Sequence, residues 1–334
     1  MKTKRILVLG ATGAMGQYLV PYLAEAGHSV DAVAFDRFPS DHPNIRPIAG
    51  DVIQDGTLRK QLLANSYDAI VDFLIYGTHL LPQRLPEITA NTGHYIYLSS
   101  YRIYADEEHP IRETSPRLID ATRNELLRNS EDYCIYKARG ENILRSFARK
   151  NWTIIRPAIT YSRMRYQLVT LEAPLTVGQA RAGRKAVLPI QAKNVQGTMS
   201  WAGDVARMIE RLIFNSRAFG ETFTVSTAEH HSWGEIADYY KEICGLEAVW
   251  VDKEDYIRIL NPNPFDPSTR WQLEYDRLFH RIIDNSKILD VTGLKQSELK
   301  PLREGLEYEI SRCPADVDWP QNDRMNAYLD ERGL

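Results

Sequence analysis

The sequence predicts an α/β protein built on a doubly wound parallel sheet. Short apolar runs alternate with amphipathic helical stretches along the first half of the chain, and a glycine-rich turn separates the first run from the first helical stretch. Parallel strands need helical crossovers, and these cover both faces of the sheet. The chain has 334 residues, 43% of them hydrophobic, which is enough to bury a core of this kind.

The first strand is predicted at residues 5–9, which form a short apolar run. The first helix is predicted over residues 14–26, because Leu19, Leu23 and Ala24 fall on one helical face and Gly27 follows them. The alternation then continues with a strand at 30–35, a helix at 58–63, a strand at 69–75, a helix near 80–92 and a strand at 94–98.

Three glycines, Gly10, Gly13 and Gly16, occupy the turn between the first strand and the first helix. In a dinucleotide-binding turn the first glycine permits the tight bend, the second lets the backbone approach a pyrophosphate, and the third lets the helix pack closely. The helix N-terminus, with Ala14 and Met15, adds free N–H groups and the positive end of the helix dipole. This context favours a Rossmann-type nucleotide site over an ordinary glycine-rich turn.

The cofactor predicted for this site is NAD. Asp36 stands at the end of the second strand, about twenty residues after the glycines, where a carboxylate hydrogen-bonds ribose hydroxyls and repels a 2′-phosphate. Arg37 leaves NADP open, because an adjacent guanidinium receives such a phosphate well. Asp51 and Val52 follow a presumed third strand, where the aspartate either contacts the adenine or caps the next helix.

A second motif, Tyr133-Cys-Ile-Tyr136-Lys137, places a tyrosine and a lysine one helical turn apart. Tyr133 and Lys137 then point the same way, whereas Tyr136 is adjacent to the lysine and faces elsewhere. The lysine ammonium and an oxidised nicotinamide are expected to lower the pKa of the Tyr133 phenol, so that its phenolate takes a proton from a substrate hydroxyl. A solvated helix face is the alternative explanation for this pair.

With these motifs the chain resembles the extended short-chain dehydrogenase/reductase family, of the NAD-dependent epimerase/dehydratase type. The glycine spacing, the serine four residues before Tyr104 and the Tyr133–Lys137 pair match the fingerprints of that family. Ile154-Ile-Arg156-Pro157 and Trp201-Ala-Gly-Asp204-Val-Ala resemble a later strand and a later helix start. The resemblance covers at least residues 5–230.

The resemblance implies a catalytic set and a cofactor site. Ser100 would hydrogen-bond the substrate oxygen, Tyr133 would exchange its proton, and Lys137 would also hold the nicotinamide ribose. The residues expected at the cofactor are Gly10, Gly13, Ala14, Met15, Gly16, Asp36, Arg37, Asp51, Val52, Phe73, Leu74, Tyr133, Lys137 and Pro157.

Two departures from the family pattern bear on the reaction type. The 4,6-dehydratases carry Asp-Glu directly after the catalytic threonine for water elimination, whereas this chain has Tyr101-Arg102 there. The asparagine that sugar epimerases have shortly after the equivalent of Arg156 is also missing. The first departure favours epimerisation or alcohol/ketone redox, which needs only Ser, Tyr, Lys and NAD, over elimination. The second argues against the usual contact with a nucleotide sugar.

The second half of the chain is predicted to form a smaller C-terminal α/β lobe that binds the substrate. The nucleotide-binding part is predicted at residues 1–160, with 195–228 and about 282–290 returning to it, and the lobe at 161–194 and 229–330. Arginines in such a lobe grip phosphates well. The candidates for substrate contacts are Arg102, Arg270, Arg277 and Arg281.

Composition argues against several other classes. The net charge of −3 and the lack of a basic tract give no reason to expect nucleic acid or a membrane as partner. The three cysteines are far apart, and His230-His231 has no evident third ligand, so we expect no disulfide frame and no metal. The first apolar run is broken at once by Gly10, which argues against a secretory signal and favours a cytoplasmic protein.

The function predicted from these features is an NAD-dependent epimerase or oxidoreductase that acts on a nucleotide sugar or related carbohydrate through a transient ketone. The alternatives are a reductase of a small non-nucleotide ketone or aldehyde, and a non-enzymatic relative that senses NAD(P) or binds RNA. The resemblance also implies a homodimer through helices near 80–92 and 120–150. The apolar residues expected to contribute there are Leu126, Leu127, Ile143, Leu144 and Phe147.

Overall fold

The computed structural model describes residues 3–54 and 56–334. Within these residues it has twelve strands and fourteen α-helices. The strands are β1 (Arg5–Leu9), β2 (Ser29–Ala34), β3 (Ile45–Ala49), β4 (Tyr67–Asp72), β5 (Thr92–Leu98), β6 (Trp152–Pro157), β7 (Ile159–Tyr161), β8 (Ala186–Pro189), β9 (Gln196–Trp201), β10 (Thr222–Val225), β11 (His230–Ser232) and β12 (Ala248–Val251). The helices are α1 (Gly16–Glu25), α2 (Thr57–Ala64), α3 (Leu81–Ala90), α4 (Leu118–Ala121), α5 (Glu125–Arg128), α6 (Tyr133–Ser146), α7 (Val177–Arg181), α8 (Ala202–Leu212), α9 (Trp233–Cys244), α10 (Lys253–Leu260), α11 (Ser268–Gln272), α12 (Ser286–Thr292), α13 (Leu302–Ser311) and α14 (Asp323–Asp330).

Seven parallel strands form the central sheet in the order β10-β6-β5-β4-β1-β2-β3. The chain leaves β1 toward β2 and β3, then returns to the other side of β1 to place β4. Leu9 is therefore in register with Val33 on one side and with Asp72 on the other. This reversal opens a crevice at the carboxyl ends of β1 and β4, which is where doubly wound sheets bind ligands.

Both faces of the sheet are covered, which explains why its strands read as continuous apolar runs. Alternate residues of β1 point to opposite sides: Ile6 belongs to the core beneath α1 and α8, and Leu7 to the core beneath α2, α3 and α6. α12 packs against α8 and β10 on the first face. The predicted Rossmann-type fold is confirmed.

The strands lie close to their predicted positions. The second strand begins one residue earlier than predicted, at Ser29, and the fourth ends at Asp72, three residues before the predicted limit. The stretch 120–150 is not one helix, because α5 and α6 are separated by the segment 129–132. Leu127 and Leu144 are buried within the chain, whereas Leu126 is 78% exposed. The homodimer stays a prediction.

The remaining elements form two smaller sheets and the helices around them. β9 pairs in parallel with β7 and antiparallel with β11, and β8 pairs in parallel with β12. α9 opens with a capping box, in which Ser232 Oγ accepts from Glu235 N at 3.2 Å and Ser232 N donates to Glu235 Oε2 at 2.8 Å. Gly245, at φ +76°, ends that helix.

None of the helices in residues 3–54 and 56–334 is long and apolar enough to cross a membrane. The same part of the chain holds no group of three histidine, cysteine, aspartate or glutamate side chains arranged to bind a metal ion.

Candidate active site

A cavity of about 400 Å³ lies at the carboxyl ends of the central strands. Its walls come from the segments that follow β1, β4, β5 and β6, from the start of α6, and from residues 165–172 and 272–277. The lining residues are Gly10, Gly13, Ala14, Met15, Gly16, Phe73, Ile75, Leu98, Ser99, Ser100, Tyr101, Arg102, Tyr133, Pro157, Ala158, Ile159, Thr160, Arg165, Gln167, Glu172, Gln272 and Arg277.

The glycine turn forms the floor of this cavity. Gly10 has φ +85°, a conformation that side chains other than glycine rarely adopt. A Cβ atom on Gly16 would lie 2.4 Å from the carbonyl oxygen of Gly10, so the start of α1 packs directly on the turn. Among the described residues, the N–H groups of Ala14 and Met15 have no backbone partner. These free donors at a helix N-terminus suit an anionic ligand.

Ser100 and Tyr133 meet in the wall of the cavity. Asp132 caps α6 by accepting from Cys134 N at 3.0 Å, which fixes Tyr133 as the first residue of the helix. Ser100 follows β5 and its Oγ accepts from Arg102 N at 3.2 Å, capping a short 3₁₀ turn. The Ser100 hydroxyl lies beside the Tyr133 phenol in the cavity wall and favours the ionised form of that phenol. A serine from one strand end and a tyrosine from a helix start thus share one point in space.

Burial raises the pKa of the Tyr133 phenol above its usual value. The guanidinium groups of Arg102 and Arg165 oppose this increase, as does the Ser100 hydroxyl. The cations that lower the pKa of the phenol most strongly are therefore Arg102 and Arg165. The sequence predicts Lys137 in this role.

Lys137 lies deeper than Tyr133 and is fully buried. Its Nζ donates to the carbonyl oxygen of Leu98 at 2.6 Å and to that of Leu74 at 3.3 Å, and lies 5.5 Å from the centroid of the Tyr133 ring. Burial lowers the pKa of Lys137 to about 7, although the nearby Asp72 carboxylate raises it. The lysine does not line the cavity and ties α6 to the ends of β4 and β5.

The neighbouring serine, Ser99, has a different environment. Its Oγ donates to Glu141 Oε1 at 2.6 Å, and Glu141 is in turn paired with Arg156 at 2.7 Å in the protein interior. Arg156 also donates to Tyr104 Oη at 2.8 Å. Ser99, Glu141 and Arg156 therefore belong to a buried structural network beside the cavity.

Three arginines line the cavity: Arg102, Arg165 and Arg277. Arg277 donates through Nε to the carbonyl oxygen of Val169 at 2.6 Å and through Nη1 to Tyr101 Oη at 2.8 Å. Its Nη2 makes no hydrogen bond among the described residues. Arg102 and Arg277 are thus the two predicted substrate arginines that lie at the cavity.

The other two predicted substrate arginines lie elsewhere. Arg270 is on the surface, where it pairs with Glu254 at 2.6 Å and Glu274 at 3.0 Å. Arg281 is buried, and it pairs with Asp276 at 3.2 Å and donates to the carbonyl oxygen of Tyr104 at 3.0 Å. The ion pairs of both arginines are satisfied within the chain.

Several residues predicted at the cofactor lie outside the cavity wall. Asp36 and Arg37 are exposed just after the end of β2. The strand β2 is the neighbour of β1 in the sheet, and the glycine turn follows β1. Asp51 Oδ1 accepts from the backbone N–H of Ile53 at 2.8 Å, as a turn cap does. Val52 is buried in the core, and Leu74 is half-buried beside Lys137.

Of the polar residues in the cavity wall, the sequence marks Arg165 only as one of four arginines in residues 161–200 suited to grip a diphosphate, and it does not single out Gln167, Glu172 or Gln272. Gln167 donates to the Glu172 carboxylate across a short turn. The positions of these four wall residues depend on loops and on the irregular end of α11, so no periodicity in the sequence marks them. An arginine-containing stretch between predicted strands was the only available signal.

A scan against family models matches residues 6–225 to the NAD dependent epimerase/dehydratase family. The chain belongs to this family. Membership confirms both the resemblance and the prediction of an NAD-dependent enzyme of the short-chain dehydrogenase/reductase type. No curated protein sequence matches the chain significantly.

Solved structures share the fold over nearly the whole chain. The epimerase Mth375 of Methanothermobacter thermautotrophicus has a TM-score of 0.66 at 15% identity, covering 99% of this chain and 93% of the other. A dTDP-glucose 4,6-dehydratase of Bacillus anthracis, solved with NAD, has a TM-score of 0.69 at 15% identity, with coverages of 92% and 96%. A UDP-glucose 4-epimerase of Thermus thermophilus, also solved with NAD, has a TM-score of 0.65 at 15% identity, with coverages of 94% and 100%.

The residues at the glycine turn fit the dinucleotide that the family implies. Gly10 and Gly16 allow a tight turn in which an added Cβ atom would crowd Phe73 or the Gly10 carbonyl oxygen, and the N–H groups of Ala14 and Met15 are free to bind phosphate oxygens. Phe73 and Pro157 continue the wall from this turn toward Ser100 and Tyr133.

Proposed function

We propose that the protein is an NAD-dependent epimerase or oxidoreductase acting on a nucleotide sugar through a transient ketone. The observation that carries this proposal is the meeting of Ser100 and Tyr133 in a cavity that begins at the glycine turn. A nucleotide bound at the turn and a substrate hydroxyl at Tyr133 would occupy one continuous space. NAD held there accepts hydride from a substrate carbon and returns it.

Tyr133 acts as the general base for the substrate hydroxyl in this proposal. Its phenol lines the cavity, where a substrate hydroxyl group can donate to it. Ser100 would hydrogen-bond the same substrate oxygen and so orient it. Removal of the hydroxyl proton by Tyr133, together with loss of hydride from the carbinol carbon to bound NAD, would give a ketone. Return of the proton to the oxygen and of hydride to the opposite face of the carbon would invert the configuration; return of hydride to the same face would restore the substrate.

Lys137 has a positioning role. Its two bonds to backbone carbonyls hold the ends of β4 and β5 against the first turn of α6, where Tyr133 stands. Its cationic form also stabilises the phenolate, because Nζ is 5.5 Å from the tyrosine ring.

The acid–base groups around Tyr133 favour epimerisation or redox over elimination. Arg102 stands where the sequence comparison expected a carboxylic acid, and a guanidinium is not a proton donor near neutral pH. Glu172 is the acidic side chain among the cavity-lining residues, and it accepts a hydrogen bond from Gln167. Elimination would therefore have to use Tyr133 or Glu172 to protonate the leaving hydroxyl, because the position after Ser100 and Tyr101 holds no carboxylic acid.

A nucleotide sugar is favoured as substrate class by two considerations. Arg277 lines the cavity and its Nη2 makes no hydrogen bond among the described residues, so its guanidinium can donate to a phosphate oxygen there. The structural relatives from Bacillus anthracis and Thermus thermophilus are, by their names, enzymes of dTDP-glucose and UDP-glucose.

The proposal is tested by thermal-shift measurements on protein stripped of nucleotide with charcoal. NAD, NADP and UDP-, dTDP-, GDP- and CDP-sugars are added singly and in pairs, because a ligand that binds the folded state raises Tm by mass action. We expect an increase with NAD and a further increase with one nucleotide class. An increase with NAD alone would favour a reductase of small ketones, and no increase with either cofactor would refute both enzymatic functions.

A further inference from the structure

We propose that Arg102 and Arg165 form an anion-binding subsite beside Tyr133, and that it recognises a carboxylate on the sugar carbon next to the one that reacts. This inference rests on the proposed function and narrows its substrate class to nucleotide sugars with an acidic ring substituent. Three features of the two arginines support it: their unused hydrogen-bond donors, their position beside Tyr133 and the charges around them.

The guanidinium groups of Arg102 and Arg165 carry donors without acceptors. Arg102 is 13% exposed, and its Nε is fully buried without a hydrogen-bond partner among the described residues. Arg165 is exposed to the cavity, and no ion pair or side-chain hydrogen bond is recorded for it within residues 3–54 and 56–334. Buried donors normally find acceptors, which makes Arg102 a candidate for a ligand contact, and Arg165 adds, in the same cavity wall, a cation without an ion pair in the described part of the chain.

Arg156 shows what a satisfied guanidinium looks like in the same protein. It makes hydrogen bonds to both carboxylate oxygens of Glu141, at 2.8 and 2.7 Å, and another to Tyr104 Oη at 2.8 Å. Arg102 instead lies 3.5 Å from Asp132 and 3.4 Å from Asp276 without a hydrogen bond to either. Its Nε and Nη2 face these two carboxylates at distances beyond a good hydrogen bond, and Nη1 has no partner among the described residues, so the guanidinium can still bind an oxygen of a ligand in the cavity.

The subsite lies at the reacting end of the substrate. The guanidinium carbon of Arg102 is 5.5 Å from the centroid of the Tyr133 ring, and Arg165 acts on the same phenol. A turn closed by mutual hydrogen bonds of Ser162 and Arg165 holds the second arginine in the wall, and Gln17 of α1 anchors that turn through Ser162 Oγ at 3.2 Å.

This position distinguishes a ring carboxylate from the diphosphate. In the proposed reaction the carbinol at C4 of the sugar faces Tyr133, and the diphosphate leaves the ring from C1, on the opposite side. The substituent on C5 is the group that comes close to Arg102 and Arg165. Arg277, with its free Nη2, remains for the diphosphate.

The charges around the subsite leave room for one anion. Arg102, Arg277 and Arg281 all surround the buried Asp276 carboxylate, and Arg102 also faces Asp132. Burial raises the pKa of Asp276, but the three guanidinium groups outweigh it and the carboxylate stays ionised. Glu172, on the same wall as Arg165, is the further acidic group. Arg102 is therefore balanced by Asp132 and Asp276, and Arg165, which has no ion pair among the described residues, supplies the charge for a substrate anion.

Calorimetric titration of the NAD-loaded protein with UDP-glucuronate and UDP-glucose tests the proposal. These two ligands differ only in a carboxylate against a hydroxymethyl group at C6. We expect the wild type to bind UDP-glucuronate about tenfold more tightly or better, as for a charge-assisted bidentate contact. Arg165→Gln and Arg102→Gln should reduce this preference to less than about threefold, and Arg102→Lys should retain part of it.

The matched control is Arg163→Gln, since Arg163 is exposed in the same turn and does not line the cavity. It should keep the full preference. An equal loss of affinity for both ligands in Arg165→Gln would overturn the subsite, because it would place the arginine at the diphosphate, and so would a wild type without preference. Failure of both UDP-sugars to bind, together with no increase in Tm from dTDP-, GDP- or CDP-sugars, would contradict the proposed function instead. In that case an absence of preference for free glucuronate over glucose would overturn the subsite as well, whereas such a preference, lost in Arg165→Gln, would support it.

Discussion

The guanidinium carbon of Arg102 lies 5.5 Å from the centroid of the Tyr133 ring. Arg165 shares the cavity wall, and both cations oppose the increase that burial causes in the pKa of the phenol. The acidity of the proposed base therefore depends on two residues that also form the proposed anion subsite. Substrate recognition and proton transfer are linked through the same pair of charges.

Removal of the Arg165 charge should shift the pH profile of the reaction. The acidic limb of kcat/KM reports the pKa of the free base, and loss of a nearby cation raises that pKa. In Arg165→Gln we expect this limb to move upward by about one pH unit. The measurement is kcat/KM across pH with a sugar nucleotide whose ring carries no charged group, so that no charge on the sugar contributes. A profile identical to that of the wild type would contradict the role of Arg165, and Arg163→Gln is the control.

Ser99→Ala and Ser100→Ala should have opposite effects on stability and activity. Ser99 donates to the buried Glu141 carboxylate at 2.6 Å, so its loss should cost about 1–3 kcal/mol of unfolding free energy with little change in kcat. Ser100 lines the cavity, and its loss should lower kcat/KM about 10- to 100-fold. Urea unfolding and steady-state kinetics of both variants measure the two effects. A larger kinetic loss in Ser99→Ala would show that the serines have been assigned the wrong way round.

Lys137 should make the stability of the protein depend on alkaline pH. Burial lowers its pKa from 10.5 to about 7, so between these values the unfolded chain binds more protons than the folded one. Stability then rises with pH in this window, by about 1.4 kcal/mol per pH unit between pH 7 and 9. Lys137→Met lacks this contribution. Unfolding of both proteins by urea at pH 7, 8 and 9 gives the difference, and parallel curves would contradict the deep burial of Lys137.

Gly16→Ala should weaken NAD binding without unfolding the protein. The new Cβ would lie 2.4 Å from the Gly10 carbonyl oxygen and 2.6 Å from that of Ala11, so the turn and α1 must separate. The N–H groups that face the phosphates are then displaced, and we expect Kd for NAD to rise about 10- to 100-fold. Calorimetry gives Kd, and far-ultraviolet circular dichroism checks the fold. An unchanged Kd would show that the pyrophosphate does not bind at this turn.

The central sheet could be predicted from sequence because its physical causes are local. A run such as Ile6–Leu9 is apolar at every position, since both faces of the sheet are covered, and the glycine turn follows it directly. The Ser100, Tyr133 and Lys137 set also followed from spacing and resemblance. The spacing does not show how deeply each side chain is buried. Tyr133 lines the cavity, whereas Lys137, one helical turn later, is buried behind it.

The arginines show where sequence reasoning ends. Arg270, Arg277 and Arg281 are equivalent as residue types in one polar stretch, and only the irregular turn over Leu273–Arg277 separates them. That turn sends Arg277 to the cavity, Arg281 into the interior and leaves Arg270 on the surface. The position of Arg165 depends on the backbone of Met164, which adopts φ +68°. The propensities of methionine do not predict this conformation.

The most direct test of the central claim follows the hydrogen atom itself. NAD-loaded protein is incubated with a sugar nucleotide that it binds, labelled with deuterium at C4, and the sugar and the reduced nicotinamide are followed by NMR and absorbance. We expect transient reduction of the cofactor and a product that retains the label at C4. In Tyr133→Phe the rates of cofactor reduction and of product formation should both fall by a factor of about 100 or more. Exchange of the label with solvent, or turnover undiminished in Tyr133→Phe, would contradict hydride chemistry at this site.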